Sequence, residues 1–383
     1  MKHELRQFLK GILVMLLLAM KLLPCAAIGA YGAVDFTRLT NRNGLSNSQV
    51  NAIFKDQQGY VWFGTQSGLD RFDGFRMKAF LYDDGNPNSI PNNSVDEIQQ
   101  AIDGSLWIHT SVGYCIYQYD KERFDRKPED WLKTIGVDGP PYKLLIDSKK
   151  NMWMSVYGQG IYFVDVKNMT AFLFPFSKTK SRSSLPDYQV SCIREDNGQA
   201  VVTFDNGVIC RLDGYAQQVV WMDRFILNNR LSTDHSVFTF VDSKNNYWVN
   251  TNLGIYVYHK NLKKWFAGAK GYLATFGFNV PAYPGRKVII RDMARDKQGH
   301  MWIATDHNGL IYLDYAKKIC RQFMYNPNDK GSISDNSLPE LYVDDNDALW
   351  VGTYKNGVNY YSASSTKFYT IPLGDVCTIT QDL

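Results

Sequence analysis

From Asn47 to Phe75 the chain alternates short apolar runs with turn residues. The runs at 49–55, 60–65 and 69–73 are rich in Val, Ile, Phe, Tyr and Trp, and Asp56-Gln57-Gln58-Gly59 and Ser67-Gly68 separate them. β-Branched and aromatic residues suit a pleated surface, while Asp and Gly supply turn chemistry. The pattern therefore predicts consecutive antiparallel strands and not helix. With an outer strand at 75–82 the unit is a four-stranded sheet.

The unit repeats. Trp62 has counterparts in Trp107, Trp153, Trp248, Trp302 and Trp350, Val201 fills the one gap, and successive copies stand 45 to 54 residues apart. Seven copies at that spacing predict an all-β fold, a seven-bladed β-propeller of four-stranded antiparallel blades, over residues 34–375. The repeat outweighs the length of 383 residues, which alone suggests two or three domains. Each motif Trp is expected to fill the wedge between neighbouring blades, with a stacking platform for a ligand as the alternative. The Asp and Gly of each Asp-x-x-Gly turn are expected to satisfy turn backbone and supply positive φ, not to act as catalytic carboxylates.

A second element recurs ahead of the inner strands, a lone Leu or Ile among Ser, Asn and Pro, as at Leu45, Ile90, Leu185, Leu231 and Ile333. These are the crossings between blades, and the apolar residue is a plug that holds a polar loop on the ring. The crossing at 265–286 is longer and rich in aromatics and Gly, which marks either a local lid or a docking surface. At the far end Val376, Ile379 and Asp382 match Val50, Ile53 and Asp56. Residues 376–383 thus look like the start of an eighth repeat, and the chain like the front part of a longer polypeptide.

Composition changes this picture at the front. Of the formal charge of +4, three charges fall in the first thirty residues, from Lys2, Arg6, Lys10 and Lys21 against Glu4. The rest is nearly neutral and has no basic cluster, so no nucleic-acid role is expected of this segment. Residues 1–33 join a basic start, an apolar run at 11–20 and small residues at Ala26, Ala27, Gly29, Ala30 and Ala33, the make-up of an export signal removed between Ala27 and Ala33. An uncleaved anchor and, through Cys25, a lipoprotein are the alternatives. Cys115, Cys192, Cys210, Cys320 and Cys377 remain, odd in number and without C-x-x-C spacing. Buried free thiols are expected there, and neither disulfides nor a metal site.

Asp-x-x-Gly-x-x-Trp-x-Gly-Thr-x-x-Gly-Leu, running from Asp56 to Leu69 and again, with departures, from Asp103, Asp242, Asp296 and Asp344, resembles the two-component regulator propeller repeat. The resemblance covers about residues 35–383. The opening Asp35-Phe36-Thr37-Arg38-Leu39-Thr40, followed by Asn43-Gly44-Leu45-Ser46, is similar to the start of the periplasmic sensor half of Bacteroides-type hybrid two-component sensors. The resemblance implies an exported segment that binds an oligosaccharide from glycan breakdown and does not catalyse. It also implies partners in a longer, inner-membrane-anchored protein, a second propeller and a histidine kinase portion; a second copy in a homodimer is a further candidate partner. No cofactor and no metal is implied. The six histidines lie in no phospho-acceptor context, and no Gly-rich ATP loop occurs.

Two other classes stay open, an exported lyase or hydrolase on the same fold and a protein-interaction scaffold. An enzyme needs converging acid and base groups, for which His109, Asp205, Asp306 and His307, at or after second strands, are the candidates. The turns after the second strands and the crossings emerge on one face and vary between copies; the Asp-x-x-Gly turns emerge on the other and are monotonous. A face that offers a different contact from each blade suits one asymmetric ligand, and Tyr157, His307, Tyr354 and Lys355 are the expected ligand-facing residues. Unconstrained drift of these loops is the alternative.

Overall fold

The computed structural model describes residues 34–179, 181–234, 236–280 and 288–362. They form seven four-stranded antiparallel sheets, the blades of one propeller. In chain order the inner strands are Val50–Lys55, Val95–Gln100, Pro141–Ile146, Val190–Asp196, Phe238–Val241, Ile289–Arg295 and Leu341–Val343, and blades 1 to 7 are numbered by them. The expected export signal, residues 363–383 and Cys377 lie outside the described residues.

Blades 1 to 6 each use four consecutive strands, whereas blade 7 combines Leu341–Val343, Leu349–Gly352 and Val358–Tyr361 with an outer strand, Thr37–Leu39, from the front of the chain. Thr37 lies opposite Tyr360, Arg38 opposite Asn359 and Leu39 opposite Val358. Phe36 N donates to Gly331 O at 2.8 Å and Arg38 Nη2 to Ser332 O at 3.0 Å, which fix the strand at its entry. Joining the first segment to the last closes the ring without an unpaired break. The repeat pattern carries the last blade on to residue 375 and does not reveal this closure.

The motif tryptophans pack as expected: Trp62, Trp107, Trp153, Trp248, Trp302 and Trp350 are all buried between blades. The turn Asp does more than satisfy its turn. Oδ2 of Asp56, Asp147, Asp242 and Asp344 accepts from the indole Nε1 six residues on, at 2.6, 3.2, 2.9 and 3.2 Å. Oδ1 meanwhile accepts the amides of the turn, as from Lys244 and Asn246 to Asp242. A Tyr from the next blade joins the same carboxylate, Tyr119 OH to Asp56 at 2.6 Å and Tyr315 OH to Asp242 at 2.7 Å. Blade 4 has Val201 in place of Trp, and there Asp196 takes Tyr247 OH and Lys260 Nζ instead.

Blade 2 departs from the motif. The sequence aligns Asp103 with the turn Asp, but Ala101 N donates to Ser105 O as Asp56 N does to Tyr60 O, so Ala101 holds that place and Trp107 has no such carboxylate. Asp103 caps its own turn through Ser105 N. The motif Thr also has a fixed structural role. Oγ1 of Thr65, Thr110, Thr251, Thr305 and Thr353 donates to the carbonyl of the Gly three or four residues on and clamps the turn after the second strand.

The plugs Leu45, Ile90, Leu185 and Ile333 are buried, and Leu231 is partly so. In the long crossing the helix Ala269–Thr275 buries Tyr272 and Leu273, with Phe278, against blades 5 and 6, so its described part is a local cap. Cys115, Cys192, Cys210 and Cys320 are buried and are not joined in disulfides among the described residues.

Candidate functional site

The turns after the second strands are hydrogen-bonded to the crossings. Gly68 N donates to Asn93 O, Ser111 N to Ser94 O, Asp205 N to Gln189 O and Tyr354 N to Ser337 O. They therefore share one face, and all four expected ligand-facing residues stand on it.

They do not form one cluster. Tyr157, in blade 3, is 66% exposed and stacks on Tyr142 with ring centroids 4.0 Å apart. Tyr142 is anchored in turn by Val190 N, which donates to its hydroxyl at 3.2 Å. His307 and Tyr354 belong to blades 6 and 7, across the ring. His307 has a φ of 68° and sets Nδ1 2.7 Å from Asp306 Oδ1, while Arg291 Nη2 holds Asp306 Oδ2 at 2.7 Å. Burial works against the Asp306 carboxylate, yet bonds from Arg291 and Ser337 keep it below the ordinary range. Lys355 is exposed beside Tyr354. The face thus carries an aromatic pair on one side and a guanidinium, carboxylate and imidazole set on the other.

Between them lies the central channel, a cavity of 520 Å³ that runs from Asp96 and Ser191 to Gln100 and Lys150. Its chemistry follows from register. The inner strand slips by one residue between Val50 and Ala52, Val95 and Glu97, Pro141 and Lys143, Val190 and Cys192, and Ile290 and Asp292. A bulge of this kind re-aims the side chains beside it. Ala52, Glu97, Lys143, Cys192 and Asp292 are thereby equivalent, and Glu340 joins them, since it meets Gly352 as Ala52 meets Gly64. Two residues deeper come Gln99, opposite Trp107, and Arg194, opposite Val201.

Four carboxylates, Asp96, Glu97, Asp292 and Glu340, and three cations, Lys143, Lys150 and Arg194, line this cavity. Glu97 accepts from Tyr114 OH at 2.8 Å and Asp292 from Leu341 N at 3.0 Å. Burial, then neighbouring Asp292, push the Glu340 carboxyl well above its ordinary value. Asp292 is raised by burial, with Arg194 opposing. Of the four candidate acid and base residues only His109 lines the channel, and burial lowers its pKa. Asp306 and His307 pair with each other at the rim. The sequence holds one signal of this set, charged residues inside apolar inner strands, as in Cys192-Ile193-Arg194, which the repeat pattern alone does not weigh.

The description "two component regulator propeller" belongs to the family model that matches residues 44–67 and 284–307. Those two stretches, which reach the second strands of blades 1 and 6, are similar to two-component regulator propeller repeats. Among curated proteins, Histidine kinase P4 of Formosa agariphila is 27% identical over 298 residues, 72% of this chain and 19% of that protein. Among solved structures, the extracellular domain of the putative hybrid two component system BT3049 from B. thetaiotaomicron superposes with a TM-score of 0.64 at 22% identity, over 86% of this chain and 42% of that one. BT4673 from the same organism gives 0.61 at 18% identity, over 87% and 40%. Virginiamycin B lyase from Staphylococcus aureus gives 0.54 at 12% identity, over 85% and 98%. The structural likenesses show the fold. This chain spans about a fifth of the curated relative and about two fifths of the two-component domains.

Proposed function

We propose that this propeller is the exported sensor segment of a hybrid two-component system, and that it binds an oligosaccharide and signals to a histidine kinase portion. The observation that carries the reading is the build of one face: Tyr157 on Tyr142 on one side, Arg291, Asp306, His307 and Tyr354 on the other, and an open channel between. Aromatic faces suit the apolar side of a sugar ring, and paired charged groups suit its hydroxyls. Tyr157, His307, Tyr354 and Lys355 are its ligand-facing residues. The repeat family and the histidine kinase among the relatives support the two-component assignment. In this reading the segment has no catalytic residue, lies in the periplasm, and works beside a second propeller and a second copy of itself. Residues 1–33 are its export signal.

The test is calorimetry with an oligosaccharide panel on the whole exported portion of the protein. Wild type is expected to bind one class of saccharide without turnover, and Tyr157→Ala and Tyr354→Ala to weaken that binding while unfolding at unchanged temperature. Turnover of any saccharide assigns the fold to an enzyme instead. Folded variants that bind as wild type place the sensing surface elsewhere.

A further inference from the structure

We propose that the central channel itself is a ligand site, one that receives the end of an uncharged saccharide through Arg194, Glu97, Asp292 and Glu340, with the rim contacting the rest of the molecule. The proposal rests on the sensor reading and deepens it by naming the seat and the charge class of the ligand.

Three observations carry it. The cavity of 520 Å³ falls in the range of small-molecule sites, about 300–1,000 Å³. Its polar groups are largely half-buried and only partly engaged with one another: Gln99 Nε2 donates to Glu97 Oε1 and His109 Nδ1 lies 3.9 Å from Asp96 Oδ2, whereas among the described residues no hydrogen bond joins Arg194, Asp292 and Glu340. Arg194 donates Nη1 to the carbonyl of Ile193 at 3.1 Å, and among the described residues no ion pair joins it to Glu97, Asp292 or Glu340. A guanidinium has five N–H donors, and Arg194, half-buried with its guanidinium 5.6 Å from the Phe240 ring centroid, is left with donors that water or ligand hydroxyls can accept from. The third observation is charge balance. With four carboxylates facing three cations, and one carboxyl pushed toward its neutral form, the wall has almost no surplus charge. An anionic or cationic ligand would lose its hydration without full compensation there, whereas hydroxyls both donate to the carboxylates and accept from the guanidinium. Phe238, 40% exposed at the mouth, and Tyr342 along the wall offer apolar faces to a sugar ring.

Four blades contribute the four named side chains, so an occupant touches widely separated parts of the ring at once. Such an arrangement suits one end of a molecule, held from several sides at once.

The experiment is calorimetric titration of the full-length protein with two sets of probes, neutral gluco-, manno-, xylo- and arabino-oligosaccharides, and uronate-containing or sulfated oligosaccharides. A neutral probe is expected to bind. Arg194→Gln is expected to weaken it roughly 10- to 100-fold, the loss that accompanies removal of a charged hydrogen-bond donor. Phe238→Ala, at the mouth, is expected to weaken it about fivefold and keeps the test decisive if the Arg194 variant does not fold. If Tyr157→Ala and Tyr354→Ala weaken a neutral probe while Arg194→Gln and Phe238→Ala bind it as wild type, the channel proposal falls and the sensor reading stands. Binding of uronate or sulfated probes alone overturns the charge class, again without touching the sensor reading. No binding of any probe to wild type overturns both.

Discussion

Asp242 accepts from five donors at once: two turn amides on Oδ1, the Trp248 indole and Tyr315 hydroxyl on Oδ2, and the Asn246 side-chain amide across both oxygens. It is buried, so each donor depends on this carboxylate and not on water. Hydrogen bonds to a charged group contribute about 1.5–3 kcal/mol each and do not add simply. Asp242→Ala is therefore expected to cost about 3–5 kcal/mol, read as a lower denaturant midpoint with an unchanged slope. Asp103→Ala is its control, because that side chain is exposed and serves only Ser105. Equal losses for the two would show that the motif Asp is a turn residue and nothing more. The turn role was legible in Asp-x-x-Gly itself. The latch was not, because one partner lies six residues away on the next strand and another, Tyr315, in the neighbouring blade.

At the scale of elements, strands bracketed by turn chemistry are where the sequence places them. Val50–Lys55 and Val61–Thr65 fall within runs 49–55 and 60–65, since Asp56 and Gly59 bound both ends of the turn between them. The outer strand is shorter than 75–82, Met77–Phe80, because Asp73 Oδ1 accepts the amides of Phe75 and Arg76 and draws them into a turn. The closing strand was illegible for a different reason. Thr37–Leu39 lies outside every repeat, and its partner strand is more than three hundred residues away in the chain. A protein lacking residues 34–40 is expected to keep blades 1 to 6 but to expose the edge Val358–Tyr361. Its amides there should exchange with solvent about 100-fold faster than in wild type, while those of Met152–Val156 change little. Unchanged protection at Val358–Tyr361 would mean that another segment supplies the outer strand. The candidate site shows the same division. The rim residues announce themselves as variable turns, whereas the channel set depends on a bulge register that only strand pairing reveals.

The ring as a whole brings together acidic groups that no single blade would hold near one another. Glu340 of blade 7 faces Asp292 of blade 6, Arg194 of blade 4 and Glu97 of blade 2 inside one enclosure, and burial with the two neighbouring carboxylates outweighs the guanidinium. A carboxyl whose folded pKa is raised binds more protons in the folded chain than in the unfolded one. Its contribution to stability is fully present below the unfolded value, about 4.3, and is lost as pH rises through the folded value. Asp292, also raised, acts in the same direction. His109 acts oppositely: its lowered pKa adds stability as pH rises toward its unfolded value, about 6.5. Carboxylates held below the ordinary range, such as Asp306, lose their contribution only at lower pH. Comparing wild type with Glu340→Gln cancels distant groups such as Asp306 and leaves the effect of Glu340 together with its repulsion with Asp292. Relative to that variant, wild type is expected to lose about 1.4 kcal/mol of unfolding free energy for each pH unit between the unfolded and folded values of Glu340. Denaturant titrations at intervals from pH 5 to pH 8 read this directly. Parallel curves for the two proteins would show that Glu340 is ionised in the channel, and the wall would then carry a net negative charge.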